Sequence, residues 1–311
     1  RMARHNAIIR RLPAVETLGA VSTICSDKTG TLTRNEMMVQ AVVTAVGETA
    51  VRGSGYDPEG ELVAGSRDKS QVVLLAEAGL LCNDAALVQR NGHWQIEGDP
   101  TEGALVTLAA RAGIDPGSRR ADMPRLDVIP FDPAYRYMAT LHEYDAATVA
   151  MVKGAPEVLL PACASVDEKP FDAAHWKREV DRMASQGMRT LAIVRKRLPV
   201  GVRELHHDDL LTDLDLLGLV GIMDPPRDEA IDAVAVCHEA GIRVKMITGD
   251  HALTARAIAE QIGIGNGRDV LTGADLDAID DTQLGAVVAG NNVFARTNPC
   301  LLYTSPSPRD S

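Results

Sequence analysis

The run Ala20-Val21-Ser22-Thr23-Ile24-Cys25-Ser26-Asp27-Lys28-Thr29-Gly30-Thr31-Leu32-Thr33 changes character at its middle. Up to Cys25 it is apolar and β-prone, the pattern of a strand over Val21–Cys25. From Asp27 onward it carries a carboxylate, a lysine, hydroxyls and a glycine. A carboxylate placed where a strand gives way to a glycine-containing loop occupies the usual active position of an open α/β sheet. With Lys28 and the loop amides available to balance phosphate charge, Asp27 suits the nucleophile of a covalent phosphoryl transfer.

The closing part of the chain supplies more of such a sheet. Leu214–Met223 reads as an apolar strand stopped by Asp224-Pro225-Pro226-Arg227, and Asp228–Ala240 as a helix with acids in its first turn and Gly241 past its end. Ile242–Ile247 reads as a strand, Thr248-Gly249-Asp250 as a loop and Thr254–Ile262 as a helix. Asp269–Leu271 and Asn292–Ala295 are two further short strands. This alternation argues for a parallel sheet covered by helices.

Between the two parts lies Met38 to Ile222, long enough to be a domain of its own. The patterns there predict a strand at Met38–Val46, a Gly-rich turn region at Gly53–Gly65 and a helix at Ser70–Leu81. A strand at His93–Ile96 and a helix at Thr101–Ala112, entered through Gly98-Asp99-Pro100, follow. Strands near Val128–Phe131, Tyr137–Glu143 and Ala147–Lys153, helices at Pro156–Leu160 and Ala173–Gln186, and a strand at Thr190–Lys196 complete the stretch. Mixed α+β sequence flanked by sheet-forming segments implies one domain inserted into another. There are no internal repeats.

Composition narrows the function classes. The 311 residues carry a formal charge of −11, with 45% hydrophobic and only 3% aromatic residues. An acidic body argues against a nucleic-acid partner. The first twelve residues hold Arg1, Arg4, Arg10 and Arg11 and no acid, which suits either a cytoplasmic membrane face or a solvated helix end. No apolar run approaches the ~18 residues of a membrane span. Cys25, Cys82, Cys163, Cys237 and Cys300 lack CxxC spacing and read as reduced thiols, and His206-His207 reads as a solvated pair.

Asp27-Lys28-Thr29-Gly30-Thr31-Leu32-Thr33 resembles the phosphorylation signature of P-type ATPases, ion pumps that pass through an aspartyl-phosphate. Thr248-Gly249-Asp250, Asp224-Pro225-Pro226-Arg227 and Lys153-Gly154-Ala155-Pro156-Glu157 resemble that family's TGD, DPPR and KGAPE motifs. The resemblance implies an α/β fold: a haloacid-dehalogenase-like, parallel doubly wound phosphorylation domain with a large inserted α+β nucleotide-binding domain. Its expected boundaries are a stalk helix end at 1–10, the phosphorylation domain at 11–37 and 223–299, the insert at 38–222, and a non-native tail at 300–311. The sheet is expected to be C-terminally incomplete, because the family's later lysine and GDGxNDxP segment do not follow.

The resemblance also assigns roles. Asp27 takes the phosphoryl group, with Lys28, Thr29, Thr248, Gly249, Asp250 and Asp224 around it, and ATP and Mg²⁺ are the expected cofactors. Asp27 and the Thr29 carbonyl would hold Mg²⁺, a hard ion that wants oxygen ligands. Haloacid-dehalogenase phosphatases usually carry a second aspartate where this chain has Thr29. A hydroxyl activates water poorly, so the phosphoenzyme should persist, which favours a pump over a soluble phosphatase. Glu102, Arg136, Lys153, Gly154 and Arg189 would line the ATP site. Phe131 reads as a core residue from the residues alone and as the adenine-stacking residue by resemblance. The remaining readings are a calcium pump that is multi-pass in its full length, with this segment cytoplasmic and catalytically deficient on its own, and a non-catalytic nucleotide-binding remnant.

Overall fold

The computed structural model describes residues 21–63, 69–144, 147–167, 169–210, 212–265 and 270–297. The expected helix at 1–10 and tail at 300–311 lie outside them. In chain order, β1 (Thr23–Asp27) is followed by β2 (Met38–Thr44), β3 (Gly47–Gly53), β4 (Gly60–Val63) and α1 (Lys69–Leu81). The hairpin β5 (Ala86–Arg90) and β6 (His93–Glu97) leads into α2 (Pro100–Arg111) and α3 (Pro116–Asp122). Next come β7 (Arg125–Asp132), β8 (Tyr137–Tyr144), β9 (Ala147–Gly154), α4 (Pro156–Leu159), β10 (Cys163–Val166), β11 (Lys169–Pro170), α5 (Ala173–Ser185), β12 (Arg189–Leu198) and β13 (Leu214–Met223). The chain closes with α6 (Asp228–Glu239), β14 (Arg243–Thr248), α7 (Ala252–Ile262), β15 (Val270–Thr272), α8 (Gly273–Asp277), α9 (Asp281–Gly290) and β16 (Val293–Ala295).

These elements form two compact units. One is continuous, Asn35–Pro225, and interrupts the other, which comprises the chain up to Arg34 and from Pro226.

The interrupted unit holds a four-stranded sheet in the order β1-β14-β16-β15. All its pairings are parallel. In the β1–β14 register Asp27 lies opposite Ile247, so the ends of both strands reach the same sheet edge. Val244 and Met246 of β14 and Ala255, Ile258 and Ile262 of α7 are buried. Gly263 ends α7 with a left-handed φ of 83°, the usual glycine helix stop.

The continuous unit is built on a largely antiparallel sheet whose main path runs β4-β3-β2-β13-β12-β9-β8-β7. Both faces are covered. On one face α1 and α2 bury Val72, Leu75, Leu105 and Leu108 against Val42, Met151, Ile193 and Val220. On the other, Trp176 and Met183 of α5 meet Val43, Val152, Val194 and Leu219. Successive residues of one strand thus point into opposite cores, which is why these strands read as apolar runs with little alternation.

Two expectations need correction. Leu214–Met223, read as the first strand of the closing β-α series, lies in this antiparallel sheet between β2 and β12. A strand buried on both faces carries the pattern usual in parallel sheets. The Gly53–Gly65 turn region contains part of the β3–β4 hairpin, whose space is filled by Arg111. A Cβ on Gly53 or Gly60 would fall within 2.8 Å of Arg111 side-chain atoms.

Candidate functional site

At the sheet edge of the interrupted unit, β1 ends on an exposed Asp27 and the chain turns sharply. Thr29 is extended and Gly30 takes φ 73°, a conformation that favours glycine. The turn closes where the Thr33 N–H and hydroxyl both donate to the Lys28 carbonyl, at 3.0 and 3.1 Å. Lys28 is buried and reaches sideways to the end of the adjacent strand, donating to Asp250 Oδ2 at 2.5 Å. Thr248, the last residue of β14, is buried and accepts the Asp250 N–H at 3.1 Å. Asp27, Lys28, Thr248 and Asp250, although far apart in sequence, therefore meet at the carboxyl ends of two neighbouring parallel strands, where open α/β sheets bind ligands.

Arg227 belongs to this loop, a role that sequence reasoning missed by treating it as part of a hinge. Its N–H donates to the Leu32 carbonyl at 2.9 Å, its Nε to Thr33 O at 2.9 Å and its Nη2 to Gly30 O at 3.3 Å. A tight loop leaves carbonyls that need donors, and a guanidinium fork supplies several at once. Asp224 is buried in the continuous unit and accepts the Glu36 N–H at 3.2 Å, joining the segments by which that unit begins and ends.

Among the described residues no group of three or more His, Cys, Asp or Glu side chains is placed to hold a metal ion. The Asp27 carboxylate and the Thr29 carbonyl are hard oxygen donors on one exposed loop. Mg²⁺ usually keeps several waters and takes only one or two carboxylates, so this small donor set fits it.

The continuous unit has a cleft of about 690 Å³, within the ~300–1,000 Å³ usual for small-molecule pockets. Glu102, Phe131, Arg136, Lys153, Gly154 and Arg189 all line it. They come from α2, β7, the β7–β8 turn, β9 and β12. Asp99 caps α2 by accepting from the Thr101 and Glu102 amides at 2.8 and 3.1 Å, with Pro100 at the first turn. That cap fixes Glu102, whose Oε1 accepts from Lys153 Nζ at 2.5 Å with both side chains largely buried. Arg136, in a left-handed turn with φ 56°, pairs with Glu157 at 2.8 Å. Arg189 Nη1 donates to Thr101 Oγ1 at 3.4 Å.

Phe131 is 60% exposed, which overturns its reading as a core residue. Gly154 also sets the spacing of the strands behind the cleft. A Cβ there would strike the Tyr137 Cβ at 2.5 Å and the Arg136 carbonyl at 2.7 Å, so the missing side chain lets two strands close together. The segment Cys82-Asn83-Asp84 buttresses the cleft. Asn83 is buried, donates to the Gly79 and Glu102 carbonyls at 3.2 and 2.9 Å, and accepts from Ala85 N at 2.8 Å. The Asp84 N–H donates to Glu102 Oε2 at 3.1 Å. His207, expected to be solvated, stacks on Tyr135 with ring centroids 4.0 Å apart and meets the Tyr137 hydroxyl at 2.5 Å.

A family model described as "P-type ATPase, cytoplasmic domain N" matches residues 71–229, about half of the chain. The chain belongs to the P-type ATPases. A cation-transporting ATPase of Synechocystis sp. is 44% identical to it, the match covering 96% of this chain and 35% of that protein. A calcium-transporting ATPase of Bacillus subtilis is 36% identical over 96% of this chain and 35% of its own length. Calcium-transporting ATPase 1 of Lactococcus lactis is 36% identical, with 96% and 33% covered. The chain thus spans about a third of the length of these curated relatives. Among the described residues of this P-type ATPase, no helix is long and apolar enough to cross a membrane.

Proposed function

We propose that this chain is the cytoplasmic catalytic part of an ATP-driven cation pump in a membrane. The continuous unit, the expected insert 38–222, binds ATP. The segments 11–37 and 223–299 form a haloacid-dehalogenase-like phosphorylation domain. The observation that carries the reading is the convergence of Glu102, Phe131, Arg136, Lys153, Gly154 and Arg189 on one cleft. Carboxylates Asp84, Asp99, Glu102 and Glu157 outnumber the cations in that cleft. Charge therefore attracts a triphosphate only weakly there, and the exposed Phe131 ring is the feature suited to an adenine. Calcium is the cation proposed, on the names of the relatives at 36% identity.

The chemistry follows from the loop of Asp27. The Asp27 carboxylate attacks the γ-phosphorus of ATP, a P–O bond forms to Asp27, the bond to the β-γ bridging oxygen breaks, and ADP leaves with that electron pair. Lys28 balances charge on the transferring group, and Asp250 holds the lysine in place. The Thr248 hydroxyl fixes the turn that carries Asp250. Mg²⁺ on Asp27 and Thr29, when bound, neutralises phosphate charge. Thr29 offers no carboxylate to activate water, which supports a lasting aspartyl-phosphate over phosphatase turnover.

Titration of the chain with a fluorescent ATP analogue tests the nucleotide site. Phe131→Ala is expected to weaken binding roughly fivefold to a hundredfold, as loss of a base-stacking aromatic does. Unchanged affinity in that variant would refute the assignment.

A further inference from the structure

We propose that the continuous unit carries a second ligand site, a pocket for a phosphate oxyanion beside β7 and β8. A cavity of about 260 Å³ is walled by Leu81 and Met123 on its apolar side and by Asp84, Arg120, Arg125 and His142 on its polar side. At about 30 Å³ per water, it has room for a small oxyanion and a few waters.

Charge favours an anion there. Two guanidiniums face one carboxylate, and that carboxylate, Asp84, pairs with Arg125 Nη1 at 2.7 Å. Burial first, and then the neighbouring Arg125, hold the Arg120 guanidinium below its ordinary value, against the opposing pull of Asp84 and Glu102. Arg120 Nη2 donates to the carbonyls of Ala85 at 2.9 Å and of Leu80 and Asn83 at 3.4 Å, while its Nε and Nη1 have no hydrogen-bond partner among the described residues. His142 is a neutral wall. Its two nitrogens meet Met123 O and Thr140 Oγ1 at 3.0 Å, and burial pushes its pKa down. Guanidinium N–H groups on a preformed wall suit the oxygens of a phosphate.

The pocket touches the nucleotide cleft through Asp84, which lines both. An oxyanion on Arg125 competes with Asp84 and leaves that carboxylate unneutralised at the edge of the cleft. Phosphate is therefore expected to weaken ATP binding, a coupling that rests on the nucleotide reading above, whereas phosphate binding itself does not.

The test is calorimetric titration of the chain with inorganic phosphate and with phosphoserine, in chloride buffer at fixed ionic strength. Binding of inorganic phosphate alone identifies the free ion as ligand. Binding of both identifies the phosphate end of a larger molecule, and binding of neither overturns the proposal. Arg125→Gln is expected to weaken binding roughly tenfold, and Asp84→Asn, which removes the competing carboxylate, to tighten it about threefold to tenfold. A purely structural ion pair gives no tightening, so an unchanged or weaker affinity in Asp84→Asn sinks the site even if Arg125→Gln fails to fold. Phosphate binding that survives Arg125→Gln and vanishes in Lys28→Gln puts the ligand at the loop of Asp27 and also overturns it. Phosphate binding without any ATP binding refutes the nucleotide reading and leaves this one standing.

Discussion

The two units each present a lysine–carboxylate pair at a strand end, and the pairs differ in setting. Lys153 and Glu102 are 8% and 16% exposed, while Lys28 is 6% exposed and its partner Asp250 35%. Both separations are 2.5 Å. The first pair joins α2 to β9 at the wall of the cleft and is braced by Asn83, Asp84 and the α2 cap. The second sits on a glycine-containing loop braced by Arg227. A buried pair that loses one partner strands a charge in a poorly solvated place, whereas a partner open to water is resolvated at modest cost. Loss of one partner should therefore cost the Lys153 pair more than the Lys28 pair, whose carboxylate is the more open to water.

The largest effect expected belongs to the exposed loop. On the proposed reading, Asp27→Asn in the longer protein should reduce the acid-stable, hydroxylamine-labile label from radioactive ATP to background. The same change in this chain should leave nucleotide affinity untouched, because Asp27 lies outside the cleft. Next comes the buried pair. Lys153→Ala should cost about 3–5 kcal/mol by leaving Glu102 unpaired, and Lys28→Ala only about 1 kcal/mol in its own unit. Both tryptophans, Trp94 and Trp176, belong to the continuous unit. Urea unfolding followed by tryptophan fluorescence should therefore shift strongly for Lys153→Ala and hardly at all for Lys28→Ala. Equal shifts would erase the distinction.

Arg227→Ala should cost about 1–3 kcal/mol through loss of charged donors to the loop carbonyls. It should also slow phosphoenzyme formation without altering ATP affinity. A change in affinity instead would move Arg227 to the cleft.

The smallest effect is a pH dependence. Burial holds His142 below its ordinary pKa of 6.5. The unfolded chain therefore binds a proton before the folded one does. The associated stability is complete above about pH 6.5 and is lost as pH falls toward the folded value. His142→Gln should flatten that slope in the tryptophan-monitored midpoint, and an unchanged slope would assign it to other groups.

The sheet edge that carries Asp27 was legible because its signals are local: an apolar run followed by a short loop holding a carboxylate and a glycine, found at Val21–Cys25 with Asp27 and Gly30 and again at Ile242–Ile247 with Gly249 and Asp250. The cleft residues were nominated by resemblance, and their convergence depends on pairings such as Ile193 with Lys153, which no local pattern encodes. Leu214–Met223 misled because a central strand is covered on both faces in either kind of sheet. Phe131 misled for the opposite reason: an aromatic within a strand looks like core until the fold leaves its side chain in a cleft. Arg227 and Asn83 act through backbone carbonyls, as does Arg111, which donates to the Asp57 and Gly55 carbonyls at 3.0 and 2.8 Å, and the need for a donor at a carbonyl shows only once the loop has a shape.

The most direct test of the central claim is photolabelling of the chain with an azido-adenine ATP analogue, followed by peptide mapping. The account predicts protectable label on peptides carrying Phe131, Lys153 or Glu102, displaced by ATP. Label confined to other peptides, or label that ATP does not displace, would contradict it.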